Sequence, residues 1–287
     1  VTTYLRIHAS QLDMAAEWLA NVNSQMTSHS GYCGTSKEEI LESLREDFME
    51  GDSTSLVAEL EGETIEGLIG FDYEEKLAEV WGPFHLSSDI PTIMKLWNYA
   101  WSEFPQLSEF SFFLHKDNIQ QQTFMDHMQA ELRGKHLYYK IQQAAKAKPQ
   151  KLTLEPFSTQ NSQKFVELHN TEFPGTYYDA KTILDRSQQQ GHTLYFAYLE
   201  NMFIGYTYFE EGTESIHLEY FALAPNYRGQ GLGEELLRLA LDQVTSIGNF
   251  SDVTLTVNLL NDVANPLYEK VGFQVENELW HYSLSTK

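Results

Sequence analysis

Arg228-Gly229-Gln230-Gly231-Leu232-Gly233 stands between an apolar, strand-like run, Ile216 to Leu223, and a helix-like run, Glu234 to Val244. A strand, a glycine turn and a helix start in that order make an anion cradle. Glycines let the main chain come close to a ligand, and the first N–H groups of a helix have no internal partner. Together with Arg228 and the positive end of the helix dipole, these donors suit a pyrophosphate. Two better-known phosphate loops are excluded. No Lys-Ser or Lys-Thr follows the last glycine, as a Walker loop requires, and Arg228 stands where a dinucleotide fingerprint has its first glycine.

Ala224-Pro225-Asn226-Tyr227 leads into the turn. About thirty residues after it comes Asn261-Asp262-Val263-Ala264-Asn265-Pro266-Leu267-Tyr268-Glu269-Lys270-Val271-Gly272-Phe273. With both segments in this order, the sequence resembles the GNAT superfamily of acyl-CoA-dependent N-acetyltransferases. The turn matches that family's Arg/Gln-x-x-Gly-x-Gly/Ala signature, and the later segment matches its Asn-x-x-Ala-x-x-Leu-Tyr-Glu-Lys-x-Gly-Phe signature. The resemblance implies acetyl-CoA as cosubstrate, no metal, and transfer of the acetyl group to a primary amine of a small molecule by direct attack in a ternary complex. It places the cofactor's phosphates at Arg228, Gly229, Gln230, Gly231, Leu232, Gly233 and Glu234. It also implies that main-chain groups of Phe221, Ala222 and Leu223 pair with the pantetheine arm, where the central strand splays from the next one. One of their N–H groups could then receive the oxyanion.

Transfer to an amine also needs a base for the amine and an acid for the leaving thiolate. Tyr268 is the candidate acid, because a phenol of pKa about 10 is protonated at neutral pH and matches a departing thiolate in basicity. The Leu-Tyr-Glu-Lys match points the same way. A core tyrosine beside Leu267 is the structural alternative. Asn261 either caps the following helix or bonds the pantetheine amide. For the base, His217, Glu219 and Phe221 alternate on one face of a regular strand. Glu219 is preferred and His217 is close behind; either could merely line a polar cleft. Thr256 stands where some relatives carry an acid. His169, Glu172, Tyr177 and Tyr178 lie in the stretch that often covers the acceptor in this family, with ordinary loop chemistry as the alternative. The ten histidines show no His-x-x-x-His and Cys33 is the single cysteine, which argues against zinc.

The elements that must position these residues follow from periodicity. Strands are predicted over Lys151 to Glu155, Leu194 to Leu199, Phe203 to Phe209, Ile216 to Leu223 and Val253 to Val257. The second and third of these form a hairpin about Glu200-Asn201. Helices are predicted over Ser162 to Asn170, Ala180 to Gln188, Glu234 to Val244 and Asp262 to Lys270. Gln274 to Leu284 gives a last strand or hairpin. This order matches the GNAT fold, an α+β arrangement with a mixed, largely antiparallel sheet and helices on both faces.

The chain of 287 residues also reads as a diverged tandem repeat offset by 143 residues. Asn118 to Met125 falls on Asn261 to Tyr268, Tyr139 on Tyr282 and Ile141 on Leu284. Leu56 to Glu61 echoes Tyr195 to Glu200. The polar, alanine-rich stretch from Gln142 to Lys151 suits a linker, which sets domains at residues 1–145 and 146–287. In the first half Gly82 to Asp89 replaces the glycine turn, Asp89 would oppose a phosphate, and Met125 replaces Tyr268. The first half is therefore expected to be catalytically silent. The tandem layout is similar in architecture to mycothiol synthase and related two-domain members. Trp97 and Trp101, four apart on a predicted helix, are expected to pack in a core or a domain interface.

A formal charge of −22 repels nucleic acid and anionic membranes and favours cationic partners such as amines, although it also serves solubility. It opposes polyanionic coenzyme A as well, so local donors in the cradle become more necessary. No apolar run approaches the ~20 residues of a bilayer span. Arg6, His8 and Asp13 interrupt any signal-peptide pattern in Val1 to Leu19, and the absent initiator Met suggests trimming or an edited sequence. The lone cysteine suits a reducing, cytoplasmic setting. Asn249-Phe250-Ser251 is a glycosylation sequon by formal pattern only. The competing function is a non-catalytic acyl-CoA-binding sensor, or a pseudoenzyme acting through a partner. Acceptor identity, acyl length and oligomeric state are not encoded in any recognisable motif.

Overall fold

The computed structural model describes residues 2–142, 151–212, 215–247 and 252–286. The expected boundary at 145/146, most of the expected linker and the Asn249-Phe250-Ser251 sequon lie outside these residues.

Two compact units are present, residues 1–136 with 277–287, and residues 137–276. The first half of the chain supplies β1 (Thr2–His8), α1 (Leu12–Asn23), α2 (Lys37–Glu46), β2 (Met49–Glu50), β3 (Ser53–Glu61), β4 (Thr64–Glu74), β5 (Leu77–His85), α3 (Ile90–Glu103), β6 (Glu109–His115), α4 (Ile119–Met128) and β7 (Glu131–Ile141). The second half supplies β8 (Leu152–Pro156), α5 (Ser162–Glu172), α6 (Ala180–Arg186), β9 (His192–Leu199), β10 (Met202–Glu211), β11 (Ser215–Leu223), α7 (Leu232–Ile247), β12 (Asp252–Asn258), α8 (Ala264–Val271) and β13 (Gln274–Ser285).

Strand order in the first unit is β1-β3-β4-β5-β6-β13, and in the second it is β8-β9-β10-β11-β12-β7. The two paths are the same, position for position, except that each ends on the strand belonging to the other half of the sequence. In the first unit neighbours are antiparallel except β5 with β6, which are parallel; in the second, β8, β9, β10 and β11 pair antiparallel and β11 pairs with β12 in parallel. The repeat is also visible in single contacts. Asn118 Oδ1 accepts from the N–H of Gln121 at 3.1 Å, and Asn261 Oδ1 accepts from the N–H of Ala264 at 2.9 Å. Short polar side chains at helix starts satisfy donors that the helix itself cannot.

The second unit has helices on both faces of its sheet. Leu237, Leu241 and Val244 of α7 and Val271 of α8 bury against Ile216, Leu218, Val253 and Leu255. On the other face Phe165 and Leu168 of α5 and Ile183 of α6 pack with Phe196, Tyr206 and Tyr220. In the first unit Trp97 is fully buried among Phe71, Phe110, Phe112 and Phe124, with Trp101 packed at the edge of the same core.

Most elements agree with the sequence reading to within a few residues, and two helix starts at the site differ from it. The helix expected from Asp262 begins at Ala264, because Asn261 folds its side chain over the first turn and places the cap two residues later. Of the strand and the hairpin left open for the last segment, the structure has the strand, Gln274–Ser285. The glycine turn is followed by a helix starting at Leu232, two residues earlier than expected.

Candidate active site

Strands β11 and β12 begin as a parallel pair. The register runs Ser215 to Asp252, Ile216 to Val253 and His217 to Thr254, and pairing stops there. Beyond His217 the β12-facing edge of β11 is not paired with β12 among the described residues, so main-chain groups there are open to an added chain. A cleft of about 820 Å³ occupies this fork. Glu219, Phe221, Ala222 and Leu223 line it from β11, and Thr256, Val257 and Asn258 from β12. Asn261, Ala264, Leu267, Tyr268 and Lys270 line it from the segment leading into and through α8.

The glycine turn closes one end. Gly229 and Gly231 have φ of +71° and +79°, the left-handed conformation that an L side chain rarely adopts. A Cβ on Gly233 would lie 3.5 Å from Leu267 and 3.8 Å from Phe221, so a small residue keeps the helix close to the fork. The N–H of Glu235 bonds the carbonyl of Gly231 at 3.3 Å. The N–H groups of Leu232, Gly233 and Glu234 precede that bond and have no partner inside the helix.

Charge around the turn is managed locally. Glu234 sits in the first turn of α7, where it would face an incoming anion. Its carboxylate pairs with Arg238 Nε at 3.1 Å and Lys270 Nζ at 2.7 Å. The hydrogen bonds from Lys270 and Arg238 hold its carboxyl below the usual range. Arg228 donates from Nε to the carbonyl of Leu223 at 2.8 Å and from a terminal nitrogen to Glu172 at 2.6 Å. Sequence reasoning did not single out Lys270 as a cleft residue, and it left Glu172 among several loop positions.

Glu219 lies where β11 slips against β10. Tyr208 faces Tyr220 and Phe209 faces Leu218, which leaves Glu219 as the extra residue of a bulge. Bulges re-aim side chains. His217, Glu219 and Phe221 are each partly exposed while Ile216, Leu218 and Tyr220 are buried, so the expected alternation survives the slip. Burial, with Glu210 adding to it and Arg186 opposing, raises the Glu219 carboxyl to about 7. Such a carboxylate is poised for base work at neutral pH. His217 lies outside the cleft lining. Its Nδ1 is 2.8 Å from Thr254 Oγ1, its Nε2 is 3.9 Å from Glu219 Oε1, and its ring stacks on Tyr138. Burial lowers its pKa to about 4, so the ring is neutral at pH 7.

Tyr268 projects from α8 into the cleft and is 8% exposed. Its ring touches Tyr139, Phe221 and Phe273, and its hydroxyl has no protein partner among the described residues. Burial and then neighbouring Tyr139 raise its pKa, which keeps the phenol protonated. Tyr139 in turn donates to Glu269 at 3.0 Å and braces α8.

The remaining expected residues separate clearly. Leu232 is buried against Leu223 and Leu236, and the Gln230 side chain turns back to the carbonyl of Asn226 at 2.9 Å, so neither side chain lines the cleft. His169 is fully buried between Tyr206 Oη at 2.6 Å and the Tyr178 carbonyl at 2.9 Å, which is a core role. Tyr177 is 81% exposed. Among the described residues, no group of three or more His, Cys, Asp or Glu could hold a metal ion.

The equivalent fork of the first unit is occupied by protein. Pairing of β5 with β6 also stops after three residues, at Glu79 and Ser111. Past that point Gln121 donates to the Pro83 carbonyl at 3.3 Å, and Gln120 donates to the carbonyls of His85 and Ser87 at 3.1 and 2.7 Å. At the start of α3 the carboxylate of Asp89 accepts from the N–H of Thr92 at 3.0 Å and from its hydroxyl at 2.7 Å.

Residues 162–273 match the acetyltransferase (GNAT) family. Spermidine N(1)-acetyltransferase of Escherichia coli K12 is 37% identical over 59 residues, which cover 21% of this chain and 32% of that protein. The match thus spans about a third of the length of that curated relative. Among solved structures, a GCN5-related N-acetyltransferase from Sphaerobacter thermophilus aligns with a TM-score of 0.76 at 12% identity, over 99% of this chain and 95% of that one. A tandem GNAT protein from the clavulanic acid biosynthesis pathway aligns with a TM-score of 0.66 at 14% identity, over 99% and 98% of the two chains. A forked β11/β12 pair, a glycine turn into α7 and these likenesses converge: residues 162–273 are a GNAT acetyltransferase domain, and the chain has the tandem two-domain GNAT fold.

Proposed function

We propose that the second unit is an acyl-CoA-dependent N-acetyltransferase that moves an acetyl group to a primary amine of a small molecule by direct attack in a ternary complex. One observation carries this reading: the fork beyond His217 and Thr254 holds the glycine turn, Glu219 and Tyr268 in a single cleft. The N–H groups at the start of α7 and the Arg228 guanidinium would take the pyrophosphate. Main-chain groups of Phe221, Ala222 and Leu223, apart from the Leu223 carbonyl that Arg228 Nε already holds, would pair with the pantetheine arm and offer an N–H to the oxyanion. Asn261 already spends its Oδ1 on the helix cap, so its amide N–H₂ is the group left for that arm.

Glu219 would take a proton from the acceptor ammonium, freeing the amine lone pair to attack the thioester. Its carboxyl near 7 is about half ionised at pH 7, and a water or His217 beside it can complete the path. Tyr268 would give its proton to the departing thiolate, and its free hydroxyl leaves that proton unengaged beforehand. The first unit would be silent, because Gln120 and Gln121 occupy its fork and Asp89 occupies the donors of its helix start.

The net charge of −22 and the local match to a spermidine acetyltransferase favour a cationic acceptor. Release of free thiol from acetyl-CoA across an amine panel headed by spermidine tests the reading. Acceptor-dependent release supports it. Tight coenzyme A binding with no release for any amine would instead favour a non-catalytic acyl-CoA sensor. The single buried cysteine suits a reducing cytoplasm as the working place.

A further inference from the structure

Glu172 is the last residue of α5, and its carboxylate lines the cleft. A negative charge at a helix C-terminus lies against the negative end of the dipole and needs a cation nearby. Arg228 supplies it, at 2.6 Å. Yet Arg228 opens the glycine turn and is the cationic side chain placed to meet a pyrophosphate. One guanidinium therefore has two competing claims on it. The Nε bond to the Leu223 carbonyl anchors the base of the side chain, so the choice concerns only its terminal nitrogens.

Resting on the acetyltransferase reading, we propose that Glu172 is a hand-over carboxylate. In the empty protein it holds Arg228, and when an acyl-CoA takes Arg228 it turns to an ammonium group of the acceptor. With Arg228 on it the Glu172 side chain is already 20% exposed, and once Arg228 leaves it is an unpaired carboxylate at a helix C-terminus in the same cleft as Glu219. That is a cation subsite by charge and by dipole. Glu219 accepts the proton of the reacting amine, while Glu172 holds a second positive charge on the same molecule. The acceptor class is then a diamine or polyamine, and the donor binds before the acceptor. Because the coupling is a free energy between two ligands, each tightens the other by the same factor.

Calorimetric titration of the full chain with coenzyme A, with spermidine as the polycation probe and butylamine as the monocation, tests this. Wild type is expected to bind spermidine more tightly when saturated with coenzyme A, and butylamine to show no such gain. Glu172→Gln is expected to bind coenzyme A about two- to five-fold more tightly, the range of a partly exposed ion pair, and to lose the coupling to spermidine. Arg228→Gln has the opposite signature: weaker coenzyme A, and spermidine bound equally with or without it. Thermal melts of both variants, expected to be cooperative like that of the parent, check that they are folded. Unchanged or weaker coenzyme A binding in Glu172→Gln, or coupling that persists in it, overturns the hand-over and leaves the acetyltransferase reading standing. No binding of coenzyme A to wild type removes both.

Discussion

His217 and Thr254 are the last paired residues of β11 and β12, and their side chains are joined, Nδ1 to Oγ1, at 2.8 Å. The fork that makes the cleft starts at this contact. Thr254→Val keeps the shape but leaves a His217 nitrogen without its partner, which should cost about 1–3 kcal/mol. Urea unfolding reads this directly, and a midpoint equal to that of the parent would show that the contact does not hold the fork. His217 titrates near 4 in the folded chain and near 6.5 when unfolded. The unfolded chain therefore binds the proton first, and this residue's stabilising effect is complete above about 6.5 and lost as pH falls toward 4. The stability difference between wild type and His217→Asn should shrink across that window.

Glu219 sets the acid side of the rate profile. It must be ionised to accept a proton, and its pKa is raised to about 7. At saturating acyl-CoA and amine, kcat should fall below an inflection near 7. Glu219→Gln should lower kcat at pH 7.5 by about 10²-fold and flatten that limb. A profile that keeps its inflection near 7 in the variant would move the base away from Glu219, whereas an inflection moved down toward 4 would point to His217.

Tyr268→Phe removes one hydroxyl and keeps the ring packed on Tyr139 and Phe273. As a general acid it should account for about 10²-fold in kcat, with coenzyme A affinity nearly unchanged. A variant that loses affinity and keeps turnover would make Tyr268 a packing residue.

Gly231→Ala tests the turn itself. The added methyl meets nothing within 4 Å, so any effect comes from the backbone at φ +79°. That conformation costs an L residue about 1–2 kcal/mol. If the turn relaxes to escape the cost, coenzyme A binding should weaken about tenfold. Ala at Gly233, whose φ is not left-handed, should meet Leu267 in ordinary contact and weaken binding less.

Much of this arrangement was legible in the sequence because local chemistry encodes it. Only glycine suits the turn at 229 and 231, an asparagine three residues before a helical amide makes a cap, and the 143-residue offset pairs Asn118 with Asn261. The tandem GNAT fold followed from those signals. Long-range pairings were not legible. Glu172 and Arg228 meet across 56 residues, and although Arg228 opens the glycine-turn signature, no motif marks Glu172 as its partner. The bulge at Glu219 is a register slip against β10, which alternation alone does not show. The strand exchange was hidden for a related reason: β7 and β13 carry the same pattern, with Tyr139 matching Tyr282 and Ile141 matching Leu284, so either could complete either unit.

The central claim is that one forked cleft per chain, and not its filled counterpart in the first unit, takes an acyl-CoA. Equilibrium titration of the full chain with coenzyme A gives the stoichiometry. One molecule per chain, with the heat abolished by Gly231→Val and unaffected by Asp89→Asn, is the predicted result. Two molecules per chain, or no heat at all with the folded protein, would contradict it.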